Sequence, residues 1–273
     1  MTKPTLNKDT LLCISLAARP SNFGTRFHNY LYDELGLDFV YKAFTTTDIA
    51  AAIGGVRALG IRGCSVSMPF KEDVIALVDE LDASASAIQS VNTIVNDDGY
   101  LRAYNTDYIA AADLIRESSL SPDAPLLLRG SGGMAKAVAA ALRDSGFTNG
   151  TIGARNEDTG RALAHEVGYA WAAELGSLTA PLLVNVTPLG MAGGPEADTL
   201  AFPLPVIDSA DTVFDVVALP AETPLIVAAR DAGKTVITGA QVIALQAAEQ
   251  FERYTGVRPT PEQVSAASSY ARS

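Results

Sequence analysis

At 273 residues the chain is long enough for one large domain or two small ones with a real hydrophobic core. Hydrophobic residues make up 48% and charged residues 19%, which excludes a disordered chain, and the net charge of −11 argues against nucleic acid and anionic membrane as partners. No apolar run approaches the ~20 residues that span a bilayer, and Met1-Thr2-Lys3-Pro4-Thr5 lacks the apolar core of a signal peptide, so a soluble cytoplasmic protein is expected.

Strand and helix patterns alternate almost throughout, with no solenoid repeat and no low-complexity segment, which predicts α/β layers. Residues 10–16 read as strand, 25–35 as helix and 39–44 as strand. Asp48 caps a helix running to about Leu59, and 63–67 is a short strand. Cys13 and Cys64 lie in apolar, strand-like runs without a CxxC or a His at ligand spacing. They read as small buried hydrophobes, with no structural metal site. Val74, Ile75, Leu77, Val78 and Leu81 form one apolar stripe, so 71–81 is predicted helical. Strands at 91–95 and 100–103 flank the turn Asn96-Asp97-Asp98-Gly99. A helix from about Tyr108 leads to the polar, Pro-bearing segment 118–123, a candidate interdomain linker.

Next, Leu126-Leu127-Leu128-Arg129 stops at Gly130-Ser131-Gly132-Gly133, and an Ala-rich helix follows to Asp144. Strand, glycine turn and helix together hold a pyrophosphate, because glycine lets the backbone come close and the first helical amides face the anion. The spacing Gly-x-Gly-Gly-x-Ala differs from the common Gly-x-Gly-x-x-Gly, and the plain alternative is an ordinary glycine-rich turn. Thr151-Ile152-Gly153-Ala154 reads as the second strand and ends at Arg155, 22 positions past Gly133. An acid there would serve an NAD ribose, whereas an arginine suits a 2′-phosphate, so the cofactor reads as NADP. Glu157 and Asp158 follow closely and could open a helix instead. On an acidic protein the anion depends on local cations, and Arg129, Lys136 and Arg155 are near the turn. Strands at 182–186, 213–217 and 235–237 continue the unit, and 240–254 is a long helix. The predicted fold is two α/β domains. Residues 1–109 form the substrate-binding domain, closed by the returning C-terminal helix in 240–273, and 110–239 form a Rossmann-like dinucleotide-binding domain.

Hydride transfer between an alcohol carbon and nicotinamide needs a protein group to take the hydroxyl proton. In Ser65-Val66-Ser67-Met68-Pro69-Phe70-Lys71 a lysine stands just past a strand end. There its amine can aim into a cleft, and desolvation can lower its pKa toward use as a base. The alternative is a solvated Lys71 opening a helix beside Glu72 and Asp73. Asn105-Thr106-Asp107 offers a carboxylate at a helix start, where N-capping is its ordinary role. Asn92 lies in an apolar strand and must find either a ligand or the backbone as partner. Gln246 is either a ligand group or part of a solvated face. His28 and His165 read as helix-surface or packing histidines.

Taken together, these motifs resemble the shikimate dehydrogenase family over nearly the whole chain. The resemblance is carried by His28-Asn29, Val66-Ser67-Met68-Pro69-Phe70-Lys71, Val91-Asn92-Thr93, Asn105-Thr106-Asp107 and Gly130-Ser131-Gly132-Gly133. Farther on it is carried by Asn185-Val186-Thr187-Pro188-Leu189-Gly190-Met191, Thr223-Pro224-Leu225, and Gln246-Ala247-Ala248 with Phe251 and Thr255-Gly256. It implies NADP and the reversible reduction of 3-dehydroshikimate to shikimate, in aromatic amino acid biosynthesis through the chorismate pathway. It implies Lys71 and Asp107 as the catalytic pair, with Asn22, Ser67, Asn92 and Gln246 binding a hydroxylated ring carboxylate. It also implies cofactor contacts at Gly130, Ser131, Gly132, Gly133, Met134, Ala154, Arg155, Asn156, Thr187, Val216 and Gly239, the last beside the nicotinamide.

Ser67 and Asn156 each stand where the family usually has Thr, and two larger departures concern the substrate carboxylate. The family's Ser-x-Ser-Pro, whose hydroxyls hold that carboxylate, is Asn22-Phe23-Gly24-Thr25 here, and its Tyr near the fourth nucleotide strand is Ala218. Losing two charge-assisted hydrogen bonds unreplaced would cost roughly a hundred-fold in affinity. Asn22, Ser21, Ser15 or Arg26 could compensate. Three readings follow: a dehydrogenase of shikimate, the same chemistry on quinate or an aminated analogue, and a non-catalytic nucleotide sensor. Lys71, Asn92, Asp107 and Gln246 kept together favour an enzyme. Oligomeric state is left unspecified.

Overall fold

The computed structural model describes residues 3–118 and 120–273. Met1 and Thr2, the first two residues of the segment read against a signal peptide, and Ser119, in the expected linker, lie outside the described residues.

The chain divides into two compact units, residues 1–106 with 244–273 and residues 107–243. In the first, β1 (Leu11–Ala17), α1 (Phe23–Leu35), β2 (Phe39–Thr45), α2 (Ile49–Ala58) and β3 (Gly63–Val66) follow in order. After a 3₁₀ turn (Asp73–Leu77) come β4 (Glu80–Leu81), α3 (Ala83–Ser86), β5 (Thr93–Asp97) and β6 (Tyr100–Tyr104). The sheet order is β2-β1-β3-β5-β6-β4, with β1 parallel to β2 and β3 and with β5 antiparallel to β3 and β6. Both faces of β1 are buried. Ile14 and Leu16 join one core with Ile53, Val56 and Ile94. Cys13 joins another with Phe27, Leu31 and Tyr32, which with His28 make up the buried face of α1.

The segment 71–81 corrects the helical expectation: it forms only the 3₁₀ turn and then the edge strand β4. The stripe still meets the core, with Val74 buried and Ile75, Leu77, Val78 and Leu81 packed against it. Tertiary partners take over the backbone, however. The Asp79 N–H donates to the Leu101 carbonyl at 2.9 Å, and the Arg57 guanidinium donates to the Leu77 carbonyl at 3.3 Å. Sheet pairing with β6 therefore replaces the last helical turns.

The second unit runs α4 (Thr106–Glu117), β7 (Leu126–Arg129), α5 (Gly133–Asp144), β8 (Gly150–Gly153), α6 (Glu157–Val167), β9 (Ala170–Ala172) and β10 (Leu182–Asn185). It continues through α7 (Leu204–Asp208), β11 (Thr212–Asp215), α8 (Pro224–Asp231), β12 (Thr235–Thr238) and the start of α9 (Gly239–Thr255), whose residues from 244 on belong with α10 (Pro261–Arg272) to the first unit. Its six strands are all parallel in the order β12-β11-β10-β7-β8-β9, the doubly wound Rossmann order. The chain passes between units at Thr106 and Asp107, so the described residues of 118–123 fall within the second unit and not between the two. The reason is that α4 packs with α5, where the Tyr108 hydroxyl donates to Asp144 Oδ2 at 2.8 Å. Among the described residues no helix is long and apolar enough to cross a membrane.

Candidate functional site

In the first unit Asn92 organises the polar residues. Its Oδ1 accepts from the Thr93 hydroxyl at 2.8 Å, the Thr106 N–H at 2.8 Å and the Thr106 hydroxyl at 3.1 Å. With the oxygen committed, the carboxamide orientation is set, and Nδ2 is left buried without a partner. The backbone around it is pinned as well. The Val91 N–H donates to the Lys71 carbonyl at 2.8 Å, the Asn92 N–H to the Tyr104 carbonyl at 3.1 Å, and the Val66 N–H to the Asn92 carbonyl at 2.8 Å. One residue thus connects the segment bearing Ser67 and Lys71 with Thr106, the last residue of the first unit before the chain leaves it. Lys71 is half-buried, Asp107 buried and Ser67 exposed.

Gln246 is half-buried on α9. One turn farther, Gln250 is buried and its Nε2 donates to Thr93 Oγ1 at 3.1 Å. Gln250 escaped the sequence reading, although it recurs on the face of Gln246 after four residues. Asn22 is exposed and is the N-cap of α1, with no side-chain capping bond. Beside it, Gly24 leaves room for Tyr41, whose hydroxyl would be 3.4 Å from a Cβ at that position and is 2.8 Å from Ser65 Oγ.

His28 is the packing histidine: its ring stacks on Tyr41 at 4.4 Å and 14° and faces Phe251 at 6.1 Å. Neither of its nitrogens makes a hydrogen bond. Burial pushes it down to about 3, opposed slightly by Gln250. His165 is exposed on α6. Cys13 and Cys64 are free and buried, and burial raises the Cys13 thiol to about 12. Among the described residues no cluster suited to a metal ion occurs.

In the second unit a cleft of about 490 Å³ opens at the carboxyl ends of β7, β8 and β10, lined by Gly130, Ser131, Gly132, Ala154, Arg155, Asn156, Thr187 and Glu196 among others. This is where open α/β sheets bind ligands. Gly130 has φ +126°, and a Cβ there would be 2.9 Å from Val186 Cγ2. By contrast, a Cβ on Gly132 or Gly133 would meet nothing within 4 Å, so the protein's own packing does not require those two glycines. Gly132 is the N-cap of α5 and offers no side chain to its first amides. Met134 follows in that first turn. The Ser131 hydroxyl is 2.7 Å from Thr159 Oγ1, which ties the turn to α6.

Glu157 and Asp158 open α6, as the alternative reading allowed, and Asn156 is its N-cap, with Oδ1 accepting from the Thr159 N–H at 3.1 Å. Arg155 is exposed and makes no side-chain hydrogen bond or ion pair among the described residues. An open glycine turn, uncapped helical amides and an unpaired arginine at the end of β8 fit a dinucleotide with a 2′-phosphate.

A buried network supports the cleft from behind. Asp215 accepts from Asn185 Nδ2 at 2.9 Å and from the Thr223 hydroxyl at 2.6 Å, and Asn185 Oδ1 accepts from the Thr187 hydroxyl at 2.6 Å. Burial raises the Asp215 carboxyl, and the bonds from Thr223, the Val217 N–H and Asn185 oppose that shift. At the start of α9, a Cβ on Gly239 would be 2.3 Å from the Val217 carbonyl and 2.4 Å from the Val216 oxygen. Backbone cannot swing aside as a side chain does. Gly239→Ala is therefore expected to destabilise the fold by about 2–3 kcal/mol, read as a lower Cm in urea. An unchanged Cm would contradict the close approach.

Known proteins agree with this architecture. Residues 23–94 match the family profile described as the shikimate dehydrogenase substrate binding domain. A shikimate dehydrogenase-like protein of Haemophilus influenzae is 60% identical over 98% of both chains. The NADP(+) shikimate dehydrogenase of Chlorobaculum tepidum is 36% identical over 84% of both. The shikimate 5-dehydrogenase of Thermus thermophilus, solved with NADP(H) and shikimate, superposes with a TM-score of 0.85 at 28% identity, covering 96% of this chain and 99% of that one. The chain belongs to the shikimate dehydrogenase family of oxidoreductases.

Proposed function

We propose that this protein is an NADP-dependent dehydrogenase that interconverts shikimate, or a close ring-acid relative, and its 3-dehydro form. The observation that carries this reading is the Asn92 carboxamide. Its oxygen is consumed by Thr93 and Thr106, and its buried Nδ2 has no protein partner. A buried amide donor costs stability unless a ligand oxygen meets it, and a ring hydroxyl is such an oxygen. In this reading Lys71 takes the proton of the reacting hydroxyl, and Asp107 shares its charge and fixes its position. Ser67, Asn92 and Gln246 hold the ring hydroxyls, and Asn22 lies toward the carboxylate. Gly130, Ser131, Gly132, Gly133 and Met134 would cradle the pyrophosphate, with Arg155 on the 2′-phosphate and Gly239 beside the nicotinamide. The bound dinucleotide supplies the hydride acceptor.

The altered Asn22-Phe23-Gly24 segment favours a second reading in which the preferred ring acid is quinate or an aminated analogue. Mixing the protein with NADP⁺ and each of these acids, and following reduced nucleotide, tests both. Shikimate is expected to reduce NADP⁺ faster than NAD⁺. Preferred turnover of another acid selects the second reading, no reduction with any acid removes the enzymatic one, and a tenfold preference for NAD⁺ overturns the cofactor assignment.

A further inference from the structure

We infer that Arg129 is a second cation for the cofactor's 2′-phosphate, acting beside Arg155; the inference rests on the reading of this cleft as an NADP site. Arg129 ends β7, whose other residues, Leu126, Leu127 and Leu128, are buried. A fourth leucine would complete that strand if packing were the only demand.

The arginine there is costly as it stands. Its Nε is buried and has no hydrogen-bond partner. Its guanidinium carbon stands 5.5 Å from the centre of the Phe202 ring, and among the described residues no carboxylate reaches ion-pair distance from it. Glu174, in the same cleft, acts on it only through its field. An arginine partly removed from water without an anion loses hydration that the Phe202 ring and the field of Glu174 repay only in part.

Its place in the sheet says which anion would repay it. Arg129 lines the cleft together with Gly132 and Arg155. It pairs in register with Gly153 on β8, two residues before Arg155, so the two cations arise from adjacent strand ends. The pyrophosphate has the amides of α5 to meet it, whereas the 2′-phosphate at the end of β8 would otherwise have one exposed arginine for its two charges. Two guanidinium groups match a dianionic phosphate.

The test is to measure NADP⁺ and NAD⁺ affinity of wild type, Arg129→Leu and Arg129→Lys by titration calorimetry, together with the melting temperature of each protein without nucleotide. For Arg129→Leu, NADP⁺ binding is expected to weaken about 10- to 100-fold and NAD⁺ binding less than about threefold. Its melting temperature without nucleotide is expected to hold or rise, because a half-buried cation with no carboxylate partner is gone. Arg129→Lys is expected to keep part of the NADP⁺ preference. Equal loss for both nucleotides, no loss for NADP⁺, or a lowered melting temperature with both affinities reduced would overturn the inference. If wild type binds NADP⁺ no better than NAD⁺, the NADP reading fails first, so the two failures are distinguishable.

Discussion

Lys71→Ala is expected to lower turnover of shikimate by about two to four orders of magnitude, the range a positioned general base contributes, while NADP⁺ still binds. The lysine follows β3 closely in the chain, and its carbonyl is held by the Val91 N–H at 2.8 Å, so the root of its side chain is fixed relative to Asn92. Lys71→Arg is expected to be as inactive as alanine, because a guanidinium keeps its proton throughout the working pH range. The decisive measurement is kcat for both variants beside nucleotide affinity. Activity near wild type in Lys71→Ala would remove the lysine from the proposed mechanism. Loss of nucleotide binding along with activity would point to a damaged fold.

Acidification is expected to destabilise the protein through His28. The imidazole titrates at its ordinary value of 6.5 when unfolded, and burial pushes it down to about 3 in the fold. Above pH 6.5 it is neutral in both states and contributes no pH dependence. As pH falls below that value, the unfolded chain takes up a proton that the folded one refuses, so stability is lost progressively between 6.5 and about 3. Between pH 7.5 and 4.5 this one group accounts for about 2.5–3 kcal/mol. His28→Phe keeps a ring between Tyr41 and Phe251 and removes two unpartnered nitrogens, so its urea midpoint is expected to fall less over that interval. Parallel pH profiles for the two proteins would show that other groups carry the acid sensitivity.

The candidate residues of each unit read as local patterns in the sequence. The glycine turn after three leucines, the arginine that ends the second strand, and polar Asn92 between apolar neighbours each state a need that short-range chemistry defines. Burial of Cys13 and Cys64 followed in the same way from apolar surroundings, whereas for His28 the sequence left surface and packing both open and the fold chose packing. Residues whose roles depend on distant partners were not legible. Asp215 has three donors gathered from β10, the turn after β11 and the cap of α8, and Gln250 reaches Thr93 across 157 positions of sequence.

The sequence alone determined the alternation of strands and helices, the α/β class and the residue types available for chemistry, because hydrophobic period and turn composition act within a few residues. Only the tertiary structure decided that 71–81 gives up its helix to pair with β6, and that α4 goes with the nucleotide unit. It also decided which nitrogens, Asn92 Nδ2 and Arg129 Nε, are left without a protein partner. Those outcomes depend on competition among groups far apart in the chain, where hydrogen-bond satisfaction and burial are settled only when all of them meet.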